Sequence, residues 1–537
     1  MKKILLSLSI LGLWCANIHA KTLSPDEALA RVNKNVFMPF STRSGLELKK
    51  TFSATDGQPT MYVFDMQNDG FIILSADDTA APVLGYTDSG VFDATNIPQT
   101  LQYWLEEYNN QITFLRENAS ESLSNSLVTT LSETTRGPVT PMLKTTWNQD
   151  APYNDLCILT LTDGYSNTCP TGCVATAMAQ VMKFHNYPAQ GQGSVTYQPY
   201  TNSTTLSMNF AETTVDWNNM LDSYSGDYSS AQANAVAVLM KACGYSVKMK
   251  YNWNESSASS TDIPEALANY FKYDESVKLV DRAFYTYDDW AEMIYNNLVE
   301  YGPVIYSGSS LTGGHAFVCD GYDGNGYFHF NWGWGGMSNG YFLLDALNPS
   351  SQGIGSYAGG YNLNQDAIIN IKPAQDNSQK EPIEIVQFGS LTGTVSGNTL
   401  SLDTDMPNKK WGYLGKGTAN FSLGVIIENT SGTQDVQYYT SIEDLSMPSN
   451  TFFPSLIIPV PLSDLNLNPG DTYKITAASK DANLPASGWI PVMVESGDYN
   501  FIYLTKTASG YEVTIPEAAS LSISDFSVYS RFITIMS

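Results

Sequence analysis

The chain has 537 residues, with 27 Lys and Arg against 53 Asp and Glu, for a formal net charge of −26. That length holds roughly three or four domains, and 43% hydrophobic residues with 10 Trp, 33 Tyr and 22 Phe exclude wholesale disorder. So acidic a chain, with no Lys/Arg run, is excluded as a nucleic-acid binder, because phosphate contacts need clustered cations.

In chain order, Lys2 and Lys3 precede an apolar stretch from Ile4 to about Leu13, and small residues lead to Ala20. This is the pattern of an export signal over residues 1–20, cut at Ala20/Lys21. A membrane anchor needs about 20 apolar residues. Asn17 and His19 interrupt this stretch too early, and no later segment reaches that length, so no membrane span is expected. Cys15 admits a lipidated alternative, but bulky Trp14 stands where lipidation wants a small residue. Beyond the leader remain Cys157, Cys169, Cys173, Cys243 and Cys319. An odd number in an exported chain leaves at least one without an intrachain partner.

Residues 21–118 pattern as a small α+β unit. Ser24, Pro25 and Glu27 are an N-cap, a first-turn proline and a capping-box acid opening a helix through Val32. Met61–Met66 and Phe71–Ala76 are strand candidates around the turn-forming Gln67–Gly70. Leu101, Trp104, Leu105, Tyr108, Ile112 and Leu115 then recur at helical spacing. Residues 119–140 turn Ser/Thr-rich and end in Arg136-Gly137-Pro138, an exposed linker open to proteolysis.

Residues 141–373 hold most of the histidines and are dense in Gly, Trp and Tyr. Helices are predicted over Gly172–Phe184, Ala231–Cys243 and Asp288–Tyr301, followed by strands with glycine-rich turns. Residues 374–537 carry short alternating strands at Phe421–Ile427, Tyr473–Ala477, Asn500–Lys506 and Tyr511–Ile515. Pro459 and Pro461 mark an edge or a bulge. The pattern is that of a β-sandwich.

Three constellations carry chemistry. Cys173 follows the Pro170–Gly172 turn and opens an Ala-rich buried helix. A helix N-terminus favours an anion and lowers a thiol pKa, and the thiolate is the nucleophile. A small buried Cys, or half of a disulfide with Cys157, Cys169 or Cys243, is the competing structural role. His315 begins the strand Gly314–Val318, and after the Asp323–Gly326 turn a return strand brings Asn331 and Trp332. Side chains alternate faces, so an odd loop places His315 and Asn331 on one face and an even loop on opposite faces. On one face, His315 could take the thiol proton, Asn331 could orient its ring and Trp332 could shield the pair. A satisfied core histidine in an aromatic hairpin is the competing role. Gln149, in Trp147–Asn154, could donate to an oxyanion, although a polar turn is the default for such a segment. His185 and His329 read as structural, with His329 the second candidate for the base. Cys169, Cys173 and His185 lack the second ligand pair that zinc spacing requires. No metal or cofactor is implied.

The Thr171–Ala177 segment running to Pro188, Gly313–Val318, Asn331–Gly336, Asp345–Pro349 and the upstream Asn148–Asn154 together resemble the streptopain family of papain-like cysteine peptidases. The resemblance spans about residues 22–373, including Gly70–Ser75 through Tyr86. It implies an α+β fold with a small α+β inhibitory prodomain (21–136) and a papain-like peptidase domain (137–373); the all-β sandwich-like region (374–537) read from the strand pattern lies beyond the family's minimal plan. It implies a secreted zymogen acting on protein or peptide substrates, with its own prodomain as inhibitor. By the same resemblance Cys173 is the nucleophile, His315 the base and Gln149 the oxyanion-hole side chain, with Asn331 and Trp332 supporting His315. Gly314, Ser257 and Trp334 line the substrate cleft. The extra cysteines depart from the family, leaving open a Cys157–Cys169 disulfide or redox trapping of Cys173. The alternative from another class is a surface-binding or adhesion protein with a protease-like fold, its C-terminal β region associating with the cell surface. A transglutaminase-like acyl transferase would share the nucleophile.

Overall fold

The structure is a computed structural model. It describes residues 136–162, 165–200, 204–310, 313–345, 361–375, 380–430 and 436–516, and in the N-terminal part 21–32, 46–54, 56–65, 70–78 and 82–86, with single positions elsewhere. The leader, the 119–135 linker and the Gln67–Asp69 turn lie outside the described residues. Two compact units form, one within residues 1–135 and one taking in residues 136–537.

In the first unit, α1 (Pro25–Arg31) starts at Ser24 with both capping-box bonds formed. An antiparallel sheet runs in order β1 (Glu47–Ser53), β2 (Pro59–Asp65), β3 (Phe71–Ser75), β4 (Val83–Tyr86). β2 and β3 are apolar nearly throughout because both sheet faces are covered. Leu105 and Ile112 are helical and fully buried, seven residues apart and so on one helix face. Leu101, Trp104 and Leu115 lie outside the described residues.

In the second unit, α2 (Cys173–His185) follows Gly172, whose φ of +88° and lack of space for a Cβ beside Met249 and the Ser256 carbonyl both demand glycine. Val174 through Met182 are all buried, as the Ala/Val/Met composition requires. α3 (Ser230–Ser246) and α4 (Ile263–Phe271) complete a helical layer. Then come β5 (Lys278–Asp281), α5 (Tyr287–Glu300), β6 (Val304–Ser309), β7 (Gly314–Tyr322), β8 (Phe328–Asn331), β9 (Gly340–Phe342) and β10 (Leu363–Ile369). They form an antiparallel sheet in order β9-β8-β7-β6-β10-β5. Along β7, Ala316 and Val318 face the core shared with α2 and α3. Phe317 and Cys319 face the aromatic core shared with α5. The sheet is thus covered on both faces, which makes β7 buried from His315 onward.

The C-terminal part is all β. β11 (Leu391–Ser396), β12 (Thr399–Thr404) and β15 (Ile458–Pro461) form one sheet. β13 (Thr418–Asn429), β14 (Val436–Pro448), β16 (Thr472–Asp481), β17 (Phe501–Thr507) and β18 (Gly510–Thr514) form another, in order β14-β13-β16-β17-β18. They enclose one core including Leu402, Phe421, Ile475 and Ile502. Pro459 and Pro461 stand on an edge strand, where a missing donor is tolerated. The observed architecture is α+β with a C-terminal all-β region. No helix among the described residues is long and apolar enough to cross a membrane.

Candidate active site

Cys173 is the first residue of α2 and is half-buried. Burial pushes its thiol pKa up, against the backbone N–H groups of Ala316, Val174 and Cys173 itself, which favour the thiolate. The contact with Ala316 sets the sulfur beside the residue that follows His315. On its other side the Asn252–Ser257 loop closes in, with Ser256 Oγ donating to the Pro170 carbonyl at 2.7 Å.

His315 is 2% exposed. Its Nε2 lies 2.8 Å from the Trp332 carbonyl oxygen. A carbonyl only accepts, so Nε2 carries the proton and the neutral ring has its lone pair on Nδ1. Nδ1 is buried and has no hydrogen-bond partner among the described residues. The ring stacks on Trp334 at 4.5 Å and on Phe317 at 5.8 Å between centroids. Burial lowers the His315 pKa to about 4, opposed by the bond to Trp332. Burial thus works against the charged form of both groups.

Gln149 is buried beside the turn that precedes Cys173: its backbone carbonyl accepts from Thr171 N at 3.0 Å. Its segment is pinned on both sides, by Trp147 N donating to Gln180 Oε1 at 3.4 Å and by Gly335 N donating to the Trp147 carbonyl at 3.0 Å.

Asn331 does not reach His315. The five-residue loop between β7 and β8 would by itself put the two on one face. A bulge at Asp320 shifts the register, pairing Cys319 with Phe330 and Val318 with Asn331. One inserted residue moves every later side chain to the other face. Asn331 therefore points to α2, where its Oδ1 accepts from Gln180 Nε2 at 3.2 Å and its Nδ2 donates to the Thr145 carbonyl at 2.8 Å. The ring partner of His315 is the neighbouring backbone carbonyl. Asp320 is held in the bulge by Met142 N at its carbonyl (3.0 Å), Leu143 N at Oδ2 (2.8 Å) and His329 Nδ1 at Oδ1 (2.6 Å). His329 is committed there.

Trp332 is fully buried and stacked parallel to His315, with centroids 6.4 Å apart. Trp334, expected in the cleft wall, is itself 3% exposed and forms the back of the ring cage. Gly314 is exposed at the start of β7, and Ser257 is exposed on the loop that covers Gly172. Cys173 and His185 occupy opposite ends of α2, roughly 18 Å apart for a helix of this length, and cannot share one ion. None of the five cysteines among the described residues is held in a disulfide, and all but Cys173 are buried. Gln180, Thr145 and Asp320 were not singled out from the sequence. A polar residue inside a helix as apolar as Val174–Met182 was the available signal for Gln180.

Comparison with known proteins places the chain among peptidases. Residues 147–342 match the Peptidase C10 family model and residues 20–112 match the Spi protease inhibitor model. Streptopain of Streptococcus pyogenes is 38% identical over 369 residues, covering 65% of this chain and 90% of streptopain. The thiol protease/hemagglutinin PrtT of Porphyromonas gingivalis is 32% identical over 427 residues, covering 76% of this chain and 48% of that protein. A prointerpain A fragment of Prevotella intermedia is 33% identical with a TM-score of 0.48, covering 62% of this chain and all of the fragment. The family models and relatives define a cysteine endopeptidase made as a zymogen, with an inhibitor-type domain in the same chain. The chain belongs to the Peptidase C10 family, that of streptopain. The adhesion alternative is not favoured.

Proposed function

We propose that Cys173 is the nucleophile and His315 the general base of this endopeptidase. The observation that carries the assignment is the polarity of His315: Nε2 is tied to the Trp332 carbonyl, leaving an unpartnered Nδ1 lone pair on the residue that precedes Ala316, whose amide meets the thiol. Nδ1 takes the thiol proton as sulfur attacks the peptide carbonyl. The Gln149 side chain and the Cys173 N–H hold the oxyanion. The protonated Nδ1 then gives its proton to the leaving amine, and a water deprotonated by Nδ1 releases the acyl-enzyme. Trp332 contributes its carbonyl and its shielding ring, Asn331 contributes by shaping the turn that presents the carbonyl, Trp334 backs the His315 ring, and Gly314 and Ser257 rim the substrate cleft.

Cleavage at Arg136/Gly137 is supported over Lys144/Thr145. Val139 pairs with Tyr322 through bonds of 2.7 and 2.8 Å, and Thr145 is buried in the Gln180–Asn331 network. A cut before Thr145 would place a charged amine there. We further propose the boundaries 1–20 export signal, 21–136 prodomain, 137–373 peptidase domain and 374–537 accessory region, with export from the cell and surface association through the last.

The test is labelling of the full chain with a thiol-reactive peptidyl epoxide before and after limited proteolysis, located by mass spectrometry. Label on Cys173 alone, and only after the cut, is the expected result. Label on Cys243 or Cys319, or none under reductant, overturns the assignment.

A further inference from the structure

The inward face of α2 buries one side-chain amide. Gln180 is fully enclosed on a face otherwise made of Val, Ala, Met and Thr176. Seven residues are nearly two whole turns, so Gln180 lies on the same side of the helix as Cys173. A buried amide is costly unless hydrogen-bonded, and the partners of this one are spread over distinct parts of the site. Its Oε1 accepts from Thr145 Oγ1 at 2.9 Å and from Trp147 N at 3.4 Å, on the segment that carries Gln149. Its Nε2 donates to Asn331 Oδ1 at 3.2 Å. That same oxygen accepts from Gly333 N at 3.1 Å, closing an Asx turn around Trp332. The peptide inside this turn supplies the carbonyl that accepts from His315 Nε2. The turn rests directly on α2: a Cβ at Gly333, where φ is +72°, would stand 3.2 Å from Thr176 Cγ2.

We propose that Gln180 is a positioning residue of the peptidase: its amide fixes the Asn331 turn and, through it, the Trp332 carbonyl that sets the tautomer and orientation of His315 toward Cys173. One side chain on the nucleophile's own helix thereby registers three separately folded pieces, the helix, the Gln149 segment and the β7–β8 hairpin. A methionine would fill the same space without hydrogen bonds, so packing alone does not require the amide. The proposal rests on Cys173 and His315 being the reacting pair.

Gln180→Glu keeps the volume and the acceptor half but sets a carboxylate oxygen against Asn331 Oδ1, and Gln180→Met removes both halves. Each matured variant is compared with the wild type per titrated Cys173 thiol, for kcat, KM, the pH profile of kcat/KM and the imidazole nitrogen resonances of His315. Misplacing a reacting group by an ångström costs about a hundredfold in rate. The expected result is therefore a fall in kcat of ten- to about a hundredfold, with KM little changed. The acid limb of the profile and the His315 Nε2 resonance should move as well. A folded Gln180→Glu with wild-type kcat and an unmoved resonance overturns the proposal, as does failure of both variants to fold, which would make Gln180 purely structural. Failure of the underlying assignment is separate: it would appear in the wild type, as a peptidase whose Cys173 takes no epoxide.

Discussion

His315 hydrogen-bonds the backbone carbonyl of Trp332 at 2.8 Å, and the Asn331 side chain one residue earlier turns the opposite way. Asn331 therefore acts on the histidine through the chain between them. Asn331→Ala should lower kcat about tenfold and leave measurable turnover, because the carbonyl survives the substitution. It should also cost roughly 1–3 kcal/mol of stability by leaving Gln180 Nε2 and the Thr145 carbonyl unpaired. Steady-state kinetics and urea unfolding of the same preparation check both. Complete loss of turnover in a folded variant would contradict the indirect role.

Cys173 is the one cysteine of the five that is not buried. Titration with an aromatic disulfide should count one reactive thiol in the native mature protein and five after denaturation without reductant. Cys173→Ala should lower the native count to zero and abolish peptide cleavage. Fewer than five thiols in the denatured chain would mean that a disulfide forms in solution.

Removing an oxyanion donor costs on the order of 100-fold in kcat or more. Gln149→Ala should show that loss, with KM little changed and epoxide labelling of Cys173 retained, since the donor acts on the tetrahedral species and not on the thiol. A loss confined to KM would make Gln149 a substrate contact.

Edman sequencing of the mature enzyme should begin at or before Val139. The backbone from Val139 to Leu143 is bonded to Tyr322 and Asp320, so cleavage after Lys144 would strip the bulge of its partners. An N-terminus at Thr145 in fully active enzyme would refute this.

Acid should destabilise the full-length chain through its buried histidines. His185 and His315 are both lowered by burial to about 4 from an ordinary 6.5. Between those values the unfolded chain binds protons that the native chain does not, so their stability contribution falls as pH falls from 6.5 to 4. Asp366, raised to about 6 by burial despite its bonds from Ser307 and Ser260, acts in the opposite sense. In the Cys173→Ala protein, His185→Gln should flatten the fall of Tm across that window and Asp366→Asn should steepen it. Parallel curves would show that neither group is linked to folding.

Local pattern was enough for the elements that bear the chemistry. The Pro170–Gly172 turn and the apolar run behind it mark a helix starting at Cys173, and alternation around the Asp323–Gly326 turn marks the hairpin carrying His315. Helix starts, turns and face alternation are set by a few neighbouring residues, so one sequence suffices to read them. The same holds for the proline-bearing edge strand of the C-terminal region. What the tertiary structure decided was the face of Asn331. The loop length favours the His315 face, but the bulge at Asp320 reverses it. That bulge is stabilised by Met142, Leu143 and His329, two of which arrive from nearly two hundred residues upstream. The role of Gln180 was hidden for the same reason: its partners Thr145 and Asn331 lie 35 residues before it and 151 after. Register and buried polar networks depend on long-range partners, which local periodicity does not encode.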